Sequence, residues 1–341
     1  MGSNKPIESF RTHSNYLRAI SYLVIGPNSY STTILYECVA RQIASSNLIT
    51  ENIQVNADTK QIRACLQSAW GTEGLLLMTG SVFREEEAIR LSNNWSAIQT
   101  YYVIYHCTQA LHVAQGHPRP DTHPKTQKIF CNQWTGRPAC LYPWTFGYGP
   151  EGTVNLPQGI TIDLGLHPWS PCEGDKIWSL YSKALMTTRR DHLTERSRSE
   201  RERKKQALRK TWGEEEATRI REGRKARRQP TFPLPQLSLD DKRRIDESTR
   251  VYTLIDYIYR LRIKTNYEDS NMFTDGPEDN IQSSHVRSAF YSIASGTLFL
   301  YENAIKAIIG NQLLMEWATS WAERNLPSGS NVGIAGRLGY H

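Results

Sequence analysis

The sequence predicts a mainly α-helical protein: a helical bundle with an irregular Pro/Trp-rich insertion and a long basic helical arm. Three observations predict it. Apolar residues recur at helical spacing over most of the 341 residues. Prolines gather between His117 and Glu173, at 118, 120, 124, 138, 143, 150, 157, 168 and 171, where no helix pattern survives. The net charge of +7 comes from one segment, because residues 189–228 hold sixteen Lys or Arg against eight Asp or Glu.

The elements follow in order. Residues 1–82 read as an N-terminal helical block. Asn28 to Ser31 offer capping groups before the apolar stripe Thr33 to Ala40 and Ile43. A second helix is expected from Thr59 to Trp70, stopped by Gly71, and Leu75–Met78 fits strand or helix. Residues 83–130 hold the clearest helix, capped at Asn93 or Asn94, running from Trp95 to Gln115 and closed by Gly116. It is apolar nearly all round, so it is expected to lie buried at the centre.

Residues 131–174 form the insertion. Its three tryptophans imply that it packs on something, and Gly159 to Leu164 alternates as a short strand would. Over residues 175–229 the helical pattern returns and grades into the arm, about 60 Å long as one helix. Gly213 and Gly223 are expected to weaken it, and Pro230 to Pro235 to end it. Residues 230–325 read as a helix capped by Ser238 and continuing through Ile263, a polar loop Asn266–Asp279, and a last long helix with a possible break at Gly310. Residues 326–341 are Gly/Ser-rich and expected to be a flexible tail.

Composition narrows the function class. Hydrophobic content of 39% suits a folded chain. No run reaches the ~20 apolar residues of a membrane span, and no signal-peptide layout precedes Ala19–Gly26, so a cytoplasmic protein without membrane contact is expected. The six cysteines form no CxxC pair. Cys131, Cys140 and Cys172 with His123 or His167 match no zinc-site spacing, so no metal and no cofactor is expected. The phosphate-loop, dinucleotide, zinc-protease and serine-hydrolase motifs are absent.

The arm carries the strongest functional signal. Arg196, Arg198, Arg201, Arg203, Lys204, Lys205, Arg209 and Lys210 fall within fifteen residues. Arg198, Arg201, Lys205 and Arg209 follow i, i+3, i+7 and i+11, which places them along one helix face. Such a stripe suits a phosphate backbone, where each neutralised phosphate releases counterions. Trp212 is the one aromatic among them, so backbone contact is favoured over base stacking. A charged solvated spacer is the plainer alternative.

Two separated stretches resemble the HEPN family of prokaryotic four-helix domains. Tyr101-Tyr102-Val103-Ile104-Tyr105-His106, followed by Thr122-His123 and Phe130, is similar to the family's Tyr-Tyr-x-x-Phe/Tyr-His helix and Thr-His loop. Arg262 to Asp269 is similar to its Arg-x-x-Ala-Asp-Tyr element, with Tyr291–Ile309 as the last helix. The resemblance implies a bundle split by residues 131–239, and a defence or toxin–antitoxin setting.

Tyr102, His106, His123 and Arg262 would face a groove, although both histidines also fit as structural ones; Arg262 is also placed to pair with Glu268 or Asp269. Family members that cut RNA carry Arg and His separated by four to six residues. Arg119 and His123 are separated by three, so an enzyme of that type is not expected. A nucleic-acid-associated module, RNA before DNA, is the first reading. Assembly as a homo-oligomer or with a protein partner is the second, and a ribonuclease toxin the third.

Overall fold

The computed structural model describes residues 5–26, 32–46, 58–82, 86–137, 140–327 and 333–340. Among these the chain is mainly α-helical, with one two-stranded sheet. The helices are α1 (Lys5–Ile25), α2 (Thr32–Ser45), α3 (Thr59–Val82), α4 (Glu86–Ala114), α5 (His123–Trp134), α6 (Lys176–Arg221), α7 (Leu239–Glu247), α8 (Leu254–Ile263), α9 (Met272–Asp275), α10 (Asn280–Ile309), α11 (Asn311–Asn325) and α12 (Gly333–Arg337). Strands β1 (Gly147–Gly149) and β2 (Gly152–Val154) form an antiparallel hairpin.

The central position expected of Trp95–Gln115 is observed. α4 packs against α3, α10, α8 and α5, and buries Ala97, Tyr101, Val103, Ile104, Cys107, Ala110 and Leu111. Its first turns depart from the expectation. Trp95 is 64% exposed, and Tyr102 is half-buried. Tyr301 of α10 ties three helices together. Its hydroxyl accepts from Trp134 Nε1 at 2.7 Å and Thr108 Oγ1 at 3.0 Å, and donates to Gln133 Oε1 at 3.0 Å. Each polar atom there is paired, so the network is compatible with a dry core.

Several local expectations are corrected. Helix α3 runs through Gly71 to Val82, because packing on α4 outweighs the roughly 1 kcal/mol helix penalty of glycine. Helix α4 starts at Glu86, so Asn93 and Asn94 are no caps; Asn93 Nδ2 instead donates to Ser283 O at 2.9 Å. Helix α5 arises inside the Pro-rich region, with Pro124 in its first turn, where a missing N–H does no harm. Residues Gly159–Leu164 form no strand. The helix expected over 237–263 is two: α7, capped by Ser238 with Asp241 as a capping box, and α8, boxed by Thr253 and Asp256. Between them Tyr252 pairs with Tyr148 of β1, N–H to O at 2.9 Å in both directions. The approach requires glycine at 147, where a Cβ would meet Val251 Cγ1 at 2.4 Å. The break at Gly310 is present, with φ +90° between α10 and α11. The capping expectation at Asn28–Ser31 lies outside the described residues.

The loose tail is also corrected. α12 lies in the core, where Arg337 is fully buried. Its Nε and Nη2 donate to Glu302 at 2.8 and 2.9 Å, its Nη2 to Glu73 at 2.9 Å, and its Nη1 to Ser295 Oγ at 3.1 Å. Trp70 Nε1 donates to Glu302 as well, at 2.7 Å. A buried guanidinium persists only with such partners.

Candidate functional site

Helix α8 starts where the β-hairpin fixes Tyr252, and its register turns Tyr259 and Arg262 to one face, three residues apart. That face meets Tyr101, Tyr102 and Tyr105 of α4 and His123 at the start of α5. The Arg262 guanidinium carbon lies 5.4, 5.3 and 5.7 Å from the ring centres of Tyr101, Tyr102 and Tyr259. Its Nη2 donates to the Tyr102 hydroxyl at 3.3 Å. His123 packs 5.0 Å from Tyr105 and 5.6 Å from Tyr259, with Nδ1 2.8 Å from the Tyr101 hydroxyl. His106 stacks on Tyr102 at 5.9 Å. The four groove residues expected from sequence therefore come together, across 160 positions between Tyr102 and Arg262.

Arg262 is the cation at the centre of this ring cluster. Burial, and then the charge of Arg119, lowers the His106 pKa to about 4. Burial and the Arg262 charge lower that of His123 as well. Burial first, and then neighbouring Tyr105, raises the Tyr101 hydroxyl above its usual range. Burial thus favours the neutral form of both imidazoles, in which one nitrogen donates and the other accepts. Arg262 does not pair with Glu268 or Asp269, contrary to the expectation from spacing. Arg260 takes Glu268 at 2.5 Å and Asp191 at 3.1 Å instead. Arg262 Nε and His106 Nδ1 are buried without a hydrogen-bond partner. Such atoms call for water or a ligand. Arg119 turns to Gln109 Oε1 at 3.1 Å, while His123 faces Tyr101.

The arm is a hairpin. α6 is packed as far as Arg189, through Leu180, Tyr181, Ala184 and Leu185, and then projects with most side chains exposed. It crosses Gly213 unbroken and ends at Arg221, well before Pro230, with Gly223 at φ +77°. The return segment runs back along the helix. Arg227 bonds Glu216 at 2.6 Å, Phe232 meets Trp212 at 6.5 Å, and Lys204 pairs with Asp241. At the root Arg189 bonds Asp246 at 2.6 Å.

The eight basic residues sort by face. Arg196 donates to Thr249 Oγ1 at 2.7 Å, Arg203 pairs with Glu200 at 2.6 Å, Lys204 with Asp241, and Lys210 with Glu214 at 3.8 Å. Arg198, Arg201, Lys205 and Arg209 have no acidic partner among the described residues. At about 100° per residue these four lie within about a quarter-turn of the helix, opposite Arg196, Arg203 and Lys210 and with Lys204 to one side. Glu202 lies on the margin of that stripe and pairs with none of them.

Sequence reasoning omitted Tyr101, Tyr105 and Tyr259 as groove walls. The spacing of Tyr259 and Arg262 was the available signal. All six cysteines are free, and no three His, Cys, Asp or Glu side chains gather as a metal site among the described residues. No described helix is long and apolar enough to cross a membrane. No protein-family model, curated protein or solved structure matches the chain.

Proposed function

We propose that the protein is a HEPN-like, nucleic-acid-associated module that binds RNA in preference to DNA. One observation carries the reading: the projecting half of α6 presents Arg198, Arg201, Lys205 and Arg209 together without acidic partners. A charge stripe of this kind follows a phosphate backbone and carries little base information. The partly exposed rings of Tyr102 and Tyr259 beside Arg262 support RNA over duplex DNA, since unpaired bases stack on aromatic rings and guanidinium planes. The resemblance to HEPN domains supports a defence or toxin–antitoxin setting. The missing Arg-x4–6-His spacing argues against RNA cleavage by that family's mechanism.

Binding of single-stranded RNA and duplex DNA at several salt concentrations tests the reading. Three or four phosphate contacts give a log–log slope of about −2 to −4. RNA incubated with the protein in EDTA is expected to stay intact. Salt-independent binding, or no binding, would remove the proposal. Leu208 and Ile220, 52% and 51% exposed on the same helix, favour a second reading in which the arm joins copies or a partner protein. Loss of self-association in an arm variant with unchanged RNA binding would favour it.

A further inference from the structure

A cavity of about 430 Å³ opens between α1, α10 and the end of the insertion, and none of its lining residues belongs to the arm or to the tyrosine groove. Trp169 stands at its edge, 42% exposed. Its position is fixed from α1: the indole Nε1 donates to Thr12 Oγ1 at 3.0 Å, and Asn15 Nδ2 donates to Pro168 O and Ser170 O, each at 2.7 Å. Arg11 lies over the indole at 5.5 Å, and Arg18 over Tyr22 at 5.1 Å. Among the described residues no carboxylate lines the cavity. Ser21 does line it, is only 2% exposed, and its hydroxyl has no hydrogen-bond partner. A buried unpaired hydroxyl is unfavourable unless something in the cavity bonds it.

We propose that this cleft binds a small organic anion built on a planar aromatic ring. The ring lies against Trp169, the anionic group meets the guanidiniums of Arg11 and Arg18, and the Ser21 hydroxyl anchors a polar atom of the ligand. Planar guanidinium groups match carboxylate and phosphate alike, so an aromatic carboxylate and a mononucleotide share the chemistry, and the volume admits both. Glu278 now pairs with Arg11, but the two side chains are 44% and 50% exposed. A bridge so open to water is weak, and an incoming anion displaces it.

Calorimetric titration of the full chain with 2-naphthoate, with adenosine 5′-monophosphate and with inorganic phosphate tests the assignment. At least one aromatic anion is expected to bind at one site with Kd of about 1 mM or tighter, and inorganic phosphate more weakly than either. Which of the two wins tells carboxylate from nucleotide. Trp169→Ala, at an exposed position, should weaken binding about tenfold, the scale of one lost ring stack. Glu278→Gln should tighten it, because the competing carboxylate is gone. Arg201→Glu with Lys205→Glu and Arg209→Glu should leave it unchanged, which separates this site from the arm. The proposal is overturned if neither aromatic anion saturates, if phosphate alone binds as well, if Trp169→Ala or Glu278→Gln binds like the parent, or if the arm variant abolishes binding.

Discussion

The core around Arg337 and the outer half of α6 treat charge in opposite ways. In the core one guanidinium meets a serine and two carboxylates, one of which also accepts from an indole N–H, all out of water. On the arm four cations stand on one face with no acidic neighbour engaged, in water. A desolvated charge is held by its partners and contributes to fold integrity only as a closed set. A hydrated charge contributes little to folding and stays available to an outside anion. The same residue type is thus consumed by the fold in one place and left without an acidic partner in the other, and burial decides which.

The largest expected effect that would break this comparison lies in the core. Arg337→Ala leaves Glu73 and Glu302 buried without their cation and should destabilise by about 3–5 kcal/mol in denaturant unfolding. A change under 1 kcal/mol would place α12 outside the core. Next in size is Ile98→Ala on α4, 9% exposed, expected to cost about 2–4 kcal/mol as a large-to-small change. Tyr102→Ala should cost less, since that ring is half-buried over the groove.

On the arm, changing Arg201, Lys205 and Arg209 together to Glu should reverse the pattern. RNA affinity should fall about a hundredfold at low salt and the salt slope should flatten by about 2 to 3. The melting temperature should stay within about 1–2 °C of the parent. A drop of more than about 5 °C would show that the stripe supports the fold.

The last effect is one of pH. Burial first, then Lys264, lowers the His13 pKa to about 3, and burial lowers that of His106 to about 4. Both folded values lie below the unfolded value of about 6.5, so their stability contribution is present above that pH and is lost as pH falls towards 4. Each group alone gives a slope of up to about 1.4 kcal/mol per pH unit there. His13→Gln should flatten the decline between pH 6 and 4. Part-way along the arm, hydrogen bonds from Lys204 and then Ser238 lower the Asp241 carboxyl to about 2, so that tie loosens only below pH 4. Melting followed by a label on α7 should therefore lag the bundle in acid.

Much of this was legible in the sequence, and the reasons differ by element. Helical periodicity placed α4 and α10, and the Ser238 cap was readable because capping is local chemistry. The free stripe on α6 was readable because helix spacing alone assigns a face. The groove residues were named, but their meeting depends on the β-hairpin that sets the register of α8, which no local pattern announces. Gly71 misled because tertiary packing overrode propensity. Arg337 was invisible, since a lone arginine in a Gly/Ser-rich stretch looks solvated until two distant glutamates are seen around it.

The unbroken course of α6 has a mechanical consequence. Thirty-two residues separate Arg189 from Arg221, a rigid rod of about 48 Å whose inner end is wedged against Pro143, Phe146 and α8. Asp191, two residues above the root, grips Arg260, and Arg260 precedes Arg262 by two residues on the same helix. The arm is thus a lever with its fulcrum beside the tyrosine groove. An anion bound along the arm is expected to load the root through this ion pair, and the fluorescence of the groove tyrosines would report it. Cutting the linkage with Asp191→Asn should silence that response while leaving tip binding intact.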